Sequence, residues 1–432
     1  MEAEIQDSKE QPKGQQDKYL WAIFLTLLCV SVVELYSASS REVVGDNVFS
    51  PIIRHGMMLG VGVLIVFIMS RIHFSKFIYV IPIFALGSLL MMGYVLFFGE
   101  IINGARRSFN LFGIAIQPSE FLKLSAVLII AVIMSRTQLS KKDKTRKNGV
   151  IATASVVFIM GALLFSQGLT NTILLMAISL SMMVVGGIQF KKLGAVILVY
   201  SIVAIGGWYY KDKRAEIRQE QATELAIQRG TALPSQEDNF RGKTWKERFK
   251  RFFDPTPKYE MTMDSKNQQE MFSYMAQANG GIVGVWPGNS RETSRLPLAF
   301  SDYIFAIVIE DLGFVGGFAL LLLYLSLIAR AGTIAARCSN ALPALLVMGC
   351  AVMIIFQALF HMAIVTGVFP VSGQPLPLIS KGGTSILITS IAFGIMLSVS
   401  RFAVQSGKKQ EIKEEGNSLP EEMRAINPTQ LS

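Results

Sequence analysis

Residues 316–329 read GGFALLLLYLSLIA and residues 19–33 read YLWAIFLTLLCVSVV, with no charged residue in either stretch. A predominantly apolar run of about 20 residues crosses the hydrocarbon core of a bilayer as a helix. Backbone polar groups in lipid must be satisfied inside the protein, which leaves helices and closed barrels as spanning forms. The runs here lack the alternation of barrel strands, so the reading is an all-α polytopic membrane protein. Outward from these two stretches the same pattern gives ten spans, near 19–38, 51–70, 76–98, 118–136, 150–166, 170–187, 192–210, 301–330, 340–368 and 382–404. Composition agrees: of 432 residues, 51% are hydrophobic and 17% charged, against about 25% charged in soluble chains. Mean hydropathy is +0.43. A soluble enzyme, a disordered chain and a disulfide scaffold are excluded. Cys29, Cys338 and Cys350 lie in or beside spans without metal-ligand spacing, and read as structural.

The formal net charge of +10 would suggest nucleic acid for a soluble domain. Here the basic residues flank apolar runs, so they report topology instead. Short basic loops occur at Arg71–Lys76, Thr137–Gly149, Gln189–Lys192 and Arg330–Arg337. With the N-terminus inside, an even number of spans precedes each of them, and all four fall on the cytoplasmic side. The expected organisation is a cytoplasmic, uncleaved N-terminal tail (1–18), a ten-helix membrane domain (19–404) and a cytoplasmic C-terminal tail (405–432). The connections 38–50, 99–117, 211–300 and 369–381 fall outside.

The segment 211–300 is far longer than an ordinary connection and is therefore a functional candidate. Within it, TWKERFKRFF (244–253) places Trp245, Phe249, Phe252 and Phe253 on one helical face with Lys246, Arg248, Lys250 and Arg251 between them. That pattern suits a helix lying in the headgroup layer, or a partner-facing helix of a small folded loop. No inverted repeat of the transporter kind is visible.

An ionisable residue inside a span is costly and is a functional candidate by default. Glu120 and Lys123, three apart at the start of the fourth span, share a helix face and can pair. The pair reads either as a structural lock or as a polar wall beside a headgroup site. Arg106 and Arg107 stand just before it, and arginine forks suit pyrophosphate. Asp302 sits at the outer mouth of the eighth span with Glu310 roughly 12 Å deeper along a continuous helix. It reads either as a helix N-cap or as an acid–base group. The loop 369–385, FPVSGQPLPLISKGGTS, carries Pro370, Pro375, Pro377, Gly382 and Gly383, a density that makes a rigid, close-packed connection. His55, His73 and His361 are too dispersed to suggest a metal site.

Three motifs now stand in order: GARRSFNLFGIAIQPSEFLKLS (104–125), GNSRETSRLPLAFSDYIFAIVIEDLG (288–313) and FPVSGQPLPLISKGGTS (369–385). Together with the ten-span plan they resemble the SEDS family (shape, elongation, division and sporulation proteins). The resemblance covers nearly the whole chain apart from the tails, and its wording is closer to division-type than to elongation-type members. It implies a peptidoglycan glycosyltransferase that polymerises undecaprenyl-pyrophosphate-linked lipid II at the outer face of the cytoplasmic membrane during septal wall synthesis. A class B penicillin-binding protein would be its transpeptidase partner, alongside other division membrane proteins, with no nucleic acid. The family's essential acidic residue falls on Asp302, the expected general base. Its QPSE-x-x-K motif falls on Gln117, Ser119, Glu120 and Lys123, and its GA-x-R motif on Gly104 and Arg107. An arginine before the second span falls on Arg54. Asn289, Ser380 and Gly382 complete the expected headgroup contacts, and Glu310 is the second carboxylate to consider. The residues demand no cofactor and no metal site, although a divalent cation (Mg²⁺ or Mn²⁺) bridging Asp302 and pyrophosphate is compatible with them.

The chain departs from the family at Gln167–Thr172, QGLTNT, which lacks the aspartate usual between the fifth and sixth spans. Ser108 stands for a tryptophan, and Lys381 for a tyrosine. Two other classes remain open at this stage: a transporter of lipid-linked precursor and a non-catalytic scaffold.

Overall fold

The computed structural model describes residues 16–39, 50–102, 105–111, 114–139, 143–201, 267–296 and 299–418, with short pieces between 206 and 264. Its helices are α1 (Lys18–Ser39), α2 (Ser50–Met69), α3 (Phe74–Phe98), α4 (Pro118–Leu139), α5 (Asp143–Gln167) and α6 (Leu169–Val185). Then come α7 (Gln268–Gly280), α8 (Ile304–Ala336), α9 (Ala341–Val365) and α10 (Gly383–Ser418). Residues 190–201 are also helical. Seven of these helices are long and apolar enough to cross a membrane, and Ile53–Met69 and Leu169–Val185 are shorter apolar helices. The remainder of the expected span 192–210 lies outside the described residues, as do Trp245 and Phe249 of the basic aromatic stretch.

Three helices form the hub. In their most apolar windows α4, α9 and the first part of α10 are 78%, 72% and 83% buried, against 28% for α3, α5 and α8. The outer helices turn their remaining apolar faces outward, which costs nothing against lipid tails. Small residues let helices approach closely, and α2 lies along α10 in this way. A Cβ on Gly62 would stand 2.7 Å from Ser390 Oγ, and one on Gly394 would stand 2.5 Å from Met69 Cβ. Helix ends are set locally. Pro118 opens α4 where its missing N–H costs no hydrogen bond, and the His73 ring accepts from Ser75 N at 3.1 Å to cap α3. The Asp17 carboxylate accepts from Tyr19 N and Leu20 N, each at 3.0 Å. It also accepts from Arg330 Nε at 2.9 Å, tying the start of α1 to α8.

Two details go beyond the expected helical plan. The connection 99–117 contains a three-stranded antiparallel sheet, β1 (Glu100–Ile102), β2 (Ala105–Leu111) and β3 (Ile114–Ile116), in the order β1-β2-β3. The fold is therefore helical with one small sheet at its edge. Second, the eighth span is not one continuous helix over 301–330. Residues 301–303 form a turn, α8 starts at Ile304, and Gly313 (φ 71°, ψ −174°) breaks it into a short piece and a longer one. The cause is a backbone-to-backbone packing with the chain that follows α7. Val285 N and Trp286 N donate to the Glu310 and Asp311 carbonyls, and Phe314 N donates to Gly281 O, each at 2.9 Å. A Cβ on Gly313 would stand 2.3 Å from Ile282 O.

That dihedral region is essentially restricted to glycine, and a side chain there costs of order 1–3 kcal/mol before any clash. Gly313→Ala is expected to lower the thermal unfolding midpoint in detergent by at least that equivalent. An unchanged midpoint would show that the break is not set by close packing.

Candidate functional site

Asp302 lies in the turn that leads into α8, half-buried. The N-cap of α8 is Tyr303, whose side chain makes no capping hydrogen bond. Asp302 therefore does not occupy the cap position expected of a structural aspartate. Ser301 Oγ donates to Asp302 Oδ1 at 2.9 Å. On its other side the carboxylate faces Gly373, where a Cβ would stand 2.6 Å from Oδ2. A side chain at 373 would displace the carboxylate from this position.

Gly373 belongs to the proline-rich connection between α9 and α10, which is stitched to the Asp302 turn. Ser380 Oγ donates to Ser301 O at 2.8 Å and accepts from Leu376 N at 2.7 Å. Lys381 N donates to Phe300 O at 2.8 Å, and Gly382 N to Ser380 O at 2.7 Å. Tyr324 OH, inside α8, donates to Pro377 O at 2.6 Å. Ser380 and Lys381 thus tie this connection to the turn that bears Asp302, and Gly382 bonds back onto Ser380.

The small sheet and α4 carry the next group of expected residues. Arg107, on β2 and half-buried, reaches the α5–α6 junction, its Nη2 4.0 Å from where a Cβ on Gly168 would lie. Arg106 instead donates to the Leu96 and Phe97 carbonyls at the end of α3. Gln117 N donates to Thr384 Oγ1 at 3.1 Å, and that hydroxyl donates to Ala115 O at 2.9 Å, joining β3 to the start of α10. Ser119 is completely buried. Lys123 Nζ pairs with Glu120 Oε1 at 2.7 Å with Lys123 wholly buried, while Gln357 Nε2 donates to Glu120 Oε2 at 2.7 Å. The geometry is that of a sealed ion pair bracing α4 against α9.

Glu310 lies on the short first piece of α8, ahead of the break at Gly313. It is completely buried, and its oxygens accept from Ser290 Oγ at 2.5 Å, Arg291 N at 3.0 Å, Glu292 N at 3.4 Å and Asn279 Nδ2 at 3.5 Å. It anchors the chain between α7 and α8. Asn289 is exposed there, its Nδ2 donating to Val285 O at 3.0 Å. Arg54 is exposed on α2, inside the helix rather than ahead of it. The Tyr274 hydroxyl donates to Glu270 at 2.8 Å, and burial followed by that carboxylate pushes its pKa well above the usual phenol range. It stays a donor at neutral pH. Among the described residues no three His, Cys, Asp or Glu side chains converge as a metal-ligand set.

Several residues around Asp302 escape the sequence reading. His361 Nδ1 lies 2.6 Å from Gln374 O, and Phe305 N donates to His361 Nε2 at 3.4 Å. Gln374 Nε2 donates to Asn171 Oδ1 at 3.1 Å, so the departure at 167–172 contributes a neutral hydrogen bond. An ionisable group within a span was the available signal for His361.

Residues 17–405 match the family model for cell cycle proteins, FTSW_RODA_SPOVE. The chain is 27% identical to stage V sporulation protein E of Bacillus subtilis over 90% of its own length and 98% of that protein. It is 26% identical to the probable peptidoglycan glycosyltransferase FtsW of the same organism, covering 90% and 91%. Among solved structures it resembles a chain from work on the structural coordination of polymerization and crosslinking by a peptidoglycan synthase complex (TM-score 0.65, 23% identity, covering 90% and 98%). It also resembles the rod shape determining protein RodA of Thermus thermophilus (TM-score 0.59, 21% identity, covering 89% and 97%). The two structural likenesses establish a shared polytopic membrane fold.

Proposed function

From the premise that this chain belongs to the FTSW_RODA_SPOVE family of cell cycle proteins, we propose that it is a peptidoglycan glycosyltransferase. It polymerises lipid II at the outer face of the cytoplasmic membrane, in septal wall synthesis, with a class B penicillin-binding protein as transpeptidase partner. Other division membrane proteins complete the assembly. Both termini are cytoplasmic, and residues 19–404 form the catalytic membrane domain. The relatives' names support the reaction and the division role. The observation that carries the site is the placement of Asp302: a half-buried carboxylate displaced from the helix cap, held between the Ser301 hydroxyl and Gly373.

In this reading Asp302 takes the proton of the acceptor 4-hydroxyl as general base. The oxygen attacks the anomeric carbon of the donor, the bond from that carbon to the phosphate oxygen breaks, and the lipid pyrophosphate leaves with the electron pair. One displacement converts the α-linked donor into a β-linked product. Arg107 and Arg54 bind the pyrophosphate as forks, and a bound divalent cation would neutralise further charge there. Gln117, Ser119, Asn289, Ser380 and Gly382 shape the headgroup site. Total burial of Lys123 supports a role for the Glu120–Lys123–Gln357 group as the brace beneath the cationic contacts. Glu310, with all its hydrogen bonds directed into the protein, holds the loop.

Purified protein with its transpeptidase partner and labelled lipid II tests this reading. The expected product is β-linked glycan polymer. Transfer of lipid II across a vesicle membrane without polymer would show a transporter, and neither activity would show a scaffold. Replacing Trp245, Phe249 and Phe252 with serine is expected to weaken membrane or partner association while polymerisation at saturating partner persists.

A further inference from the structure

We propose that His361 is a positioning residue that clamps the turn bearing Asp302 to the loop that confines it; the inference rests on the general-base reading of Asp302. His361 is on α9 and 1% exposed, so it does not meet substrate. A carbonyl oxygen can only accept, so the Nδ1 facing Gln374 O at 2.6 Å carries the proton. Nε2 is thereby fixed as the acceptor for Phe305 N. That amide lies in the first turn of α8, where N–H groups lack intrahelical partners and the Tyr303 side chain supplies no cap. The imidazole of a neighbouring helix supplies it instead.

The consequence for Asp302 follows from adjacency. Phe305 is three residues after Asp302, and Gln374 is the residue after Gly373, whose backbone lies against Asp302 Oδ2. One neutral ring therefore sets the distance between the turn that bears the carboxylate and the loop that confines it. Gln374 carries the clamp one step further, through its amide to Asn171 at the start of α6. A misplacement of about 1 Å at a reacting group can cost about 10²-fold in rate. A clamp of this kind should act on turnover rather than on substrate affinity.

The test compares His361→Phe, which keeps a ring but removes both hydrogen bonds, with His361→Asn, whose amide nitrogen takes the place of Nδ1. Both are made in the full chain bound to its transpeptidase partner. His361→Phe is expected to lower kcat by about 10–100-fold with KM for lipid II held within about two-fold. Amide deuterium exchange in peptides covering 301–306 and 372–378 is expected to speed up. His361→Asn, which keeps the Gln374 contact and loses the one to Phe305 N, is expected to recover part of the turnover. Unchanged exchange with normal turnover in His361→Phe, or equal loss in both variants, would overturn the clamp. If His361→Phe does not accumulate, His361→Gln carries the test, because its amide reaches the Nε2 position and leaves the Gln374 carbonyl without its donor. A fall in kcat at constant KM supports the clamp, and normal turnover overturns it. An Asp302→Asn control keeps the two readings apart: full turnover there removes the base assignment, whereas a silent exchange pattern in His361→Phe removes the clamp.

Discussion

Lys123→Met is expected to destabilise the protein by about 3–5 kcal/mol, because it strands the Glu120 carboxylate inside the bundle without its cation. The pair is sealed, with Lys123 at 0% exposure and the Glu120 side chain at 2%, and the Gln357 amide alone would remain as a donor. Replacing both charges, as Glu120→Gln with Lys123→Met, should recover most of that loss, since exchanging a buried ion pair for neutral groups is often close to neutral. Thermal unfolding in detergent reads both effects. The double variant also separates the two roles open to this pair. Recovered stability with near-normal polymerisation identifies a brace between α4 and α9. Recovered stability without polymerisation identifies a direct contact to pyrophosphate.

The spans were legible because hydrocarbon thickness imposes a length and a polarity that any reading can find. The α4 pair was legible for a similar reason, since three-residue spacing fixes a shared helix face whatever surrounds it. The sheet at 100–116 was not: its strands are three to seven residues long and lie in a connection where no bilayer enforces a period. The break at Gly313 was hidden because its cause is a backbone contact with Ile282, 31 residues earlier, and apolar residues continue on both sides. Glu310 was legible as a carboxylate inside the eighth span, but its hydrogen-bond partners, 18 to 31 residues earlier in the chain, were not. Motif wording pointed to Asp302, Ser380 and Gly382, and the fold ties Ser380 to the turn before Asp302. His361 and Gln374 lie 13 residues apart across the end of α9, and only the folded chain brings them together beside the first turn of α8.

Asp302 carries the central claim, and its removal should have the largest effect on rate. A general base contributes typically 10²–10⁴-fold. Asparagine keeps the size of the side chain and can still accept from Ser301 Oγ, while losing the ability to take a proton. The fold should tolerate the change, because the aspartate does not cap α8 and its hydroxyl contact survives. The measurement is the initial rate of glycan polymer formation from labelled lipid II by wild-type protein and Asp302→Asn, each bound to the transpeptidase partner and matched for unfolding midpoint. The account predicts that the variant keeps its midpoint and its partner and loses at least about 10²-fold in rate. A rate above about one tenth of wild type, well short of the smallest loss a general base implies, would contradict it.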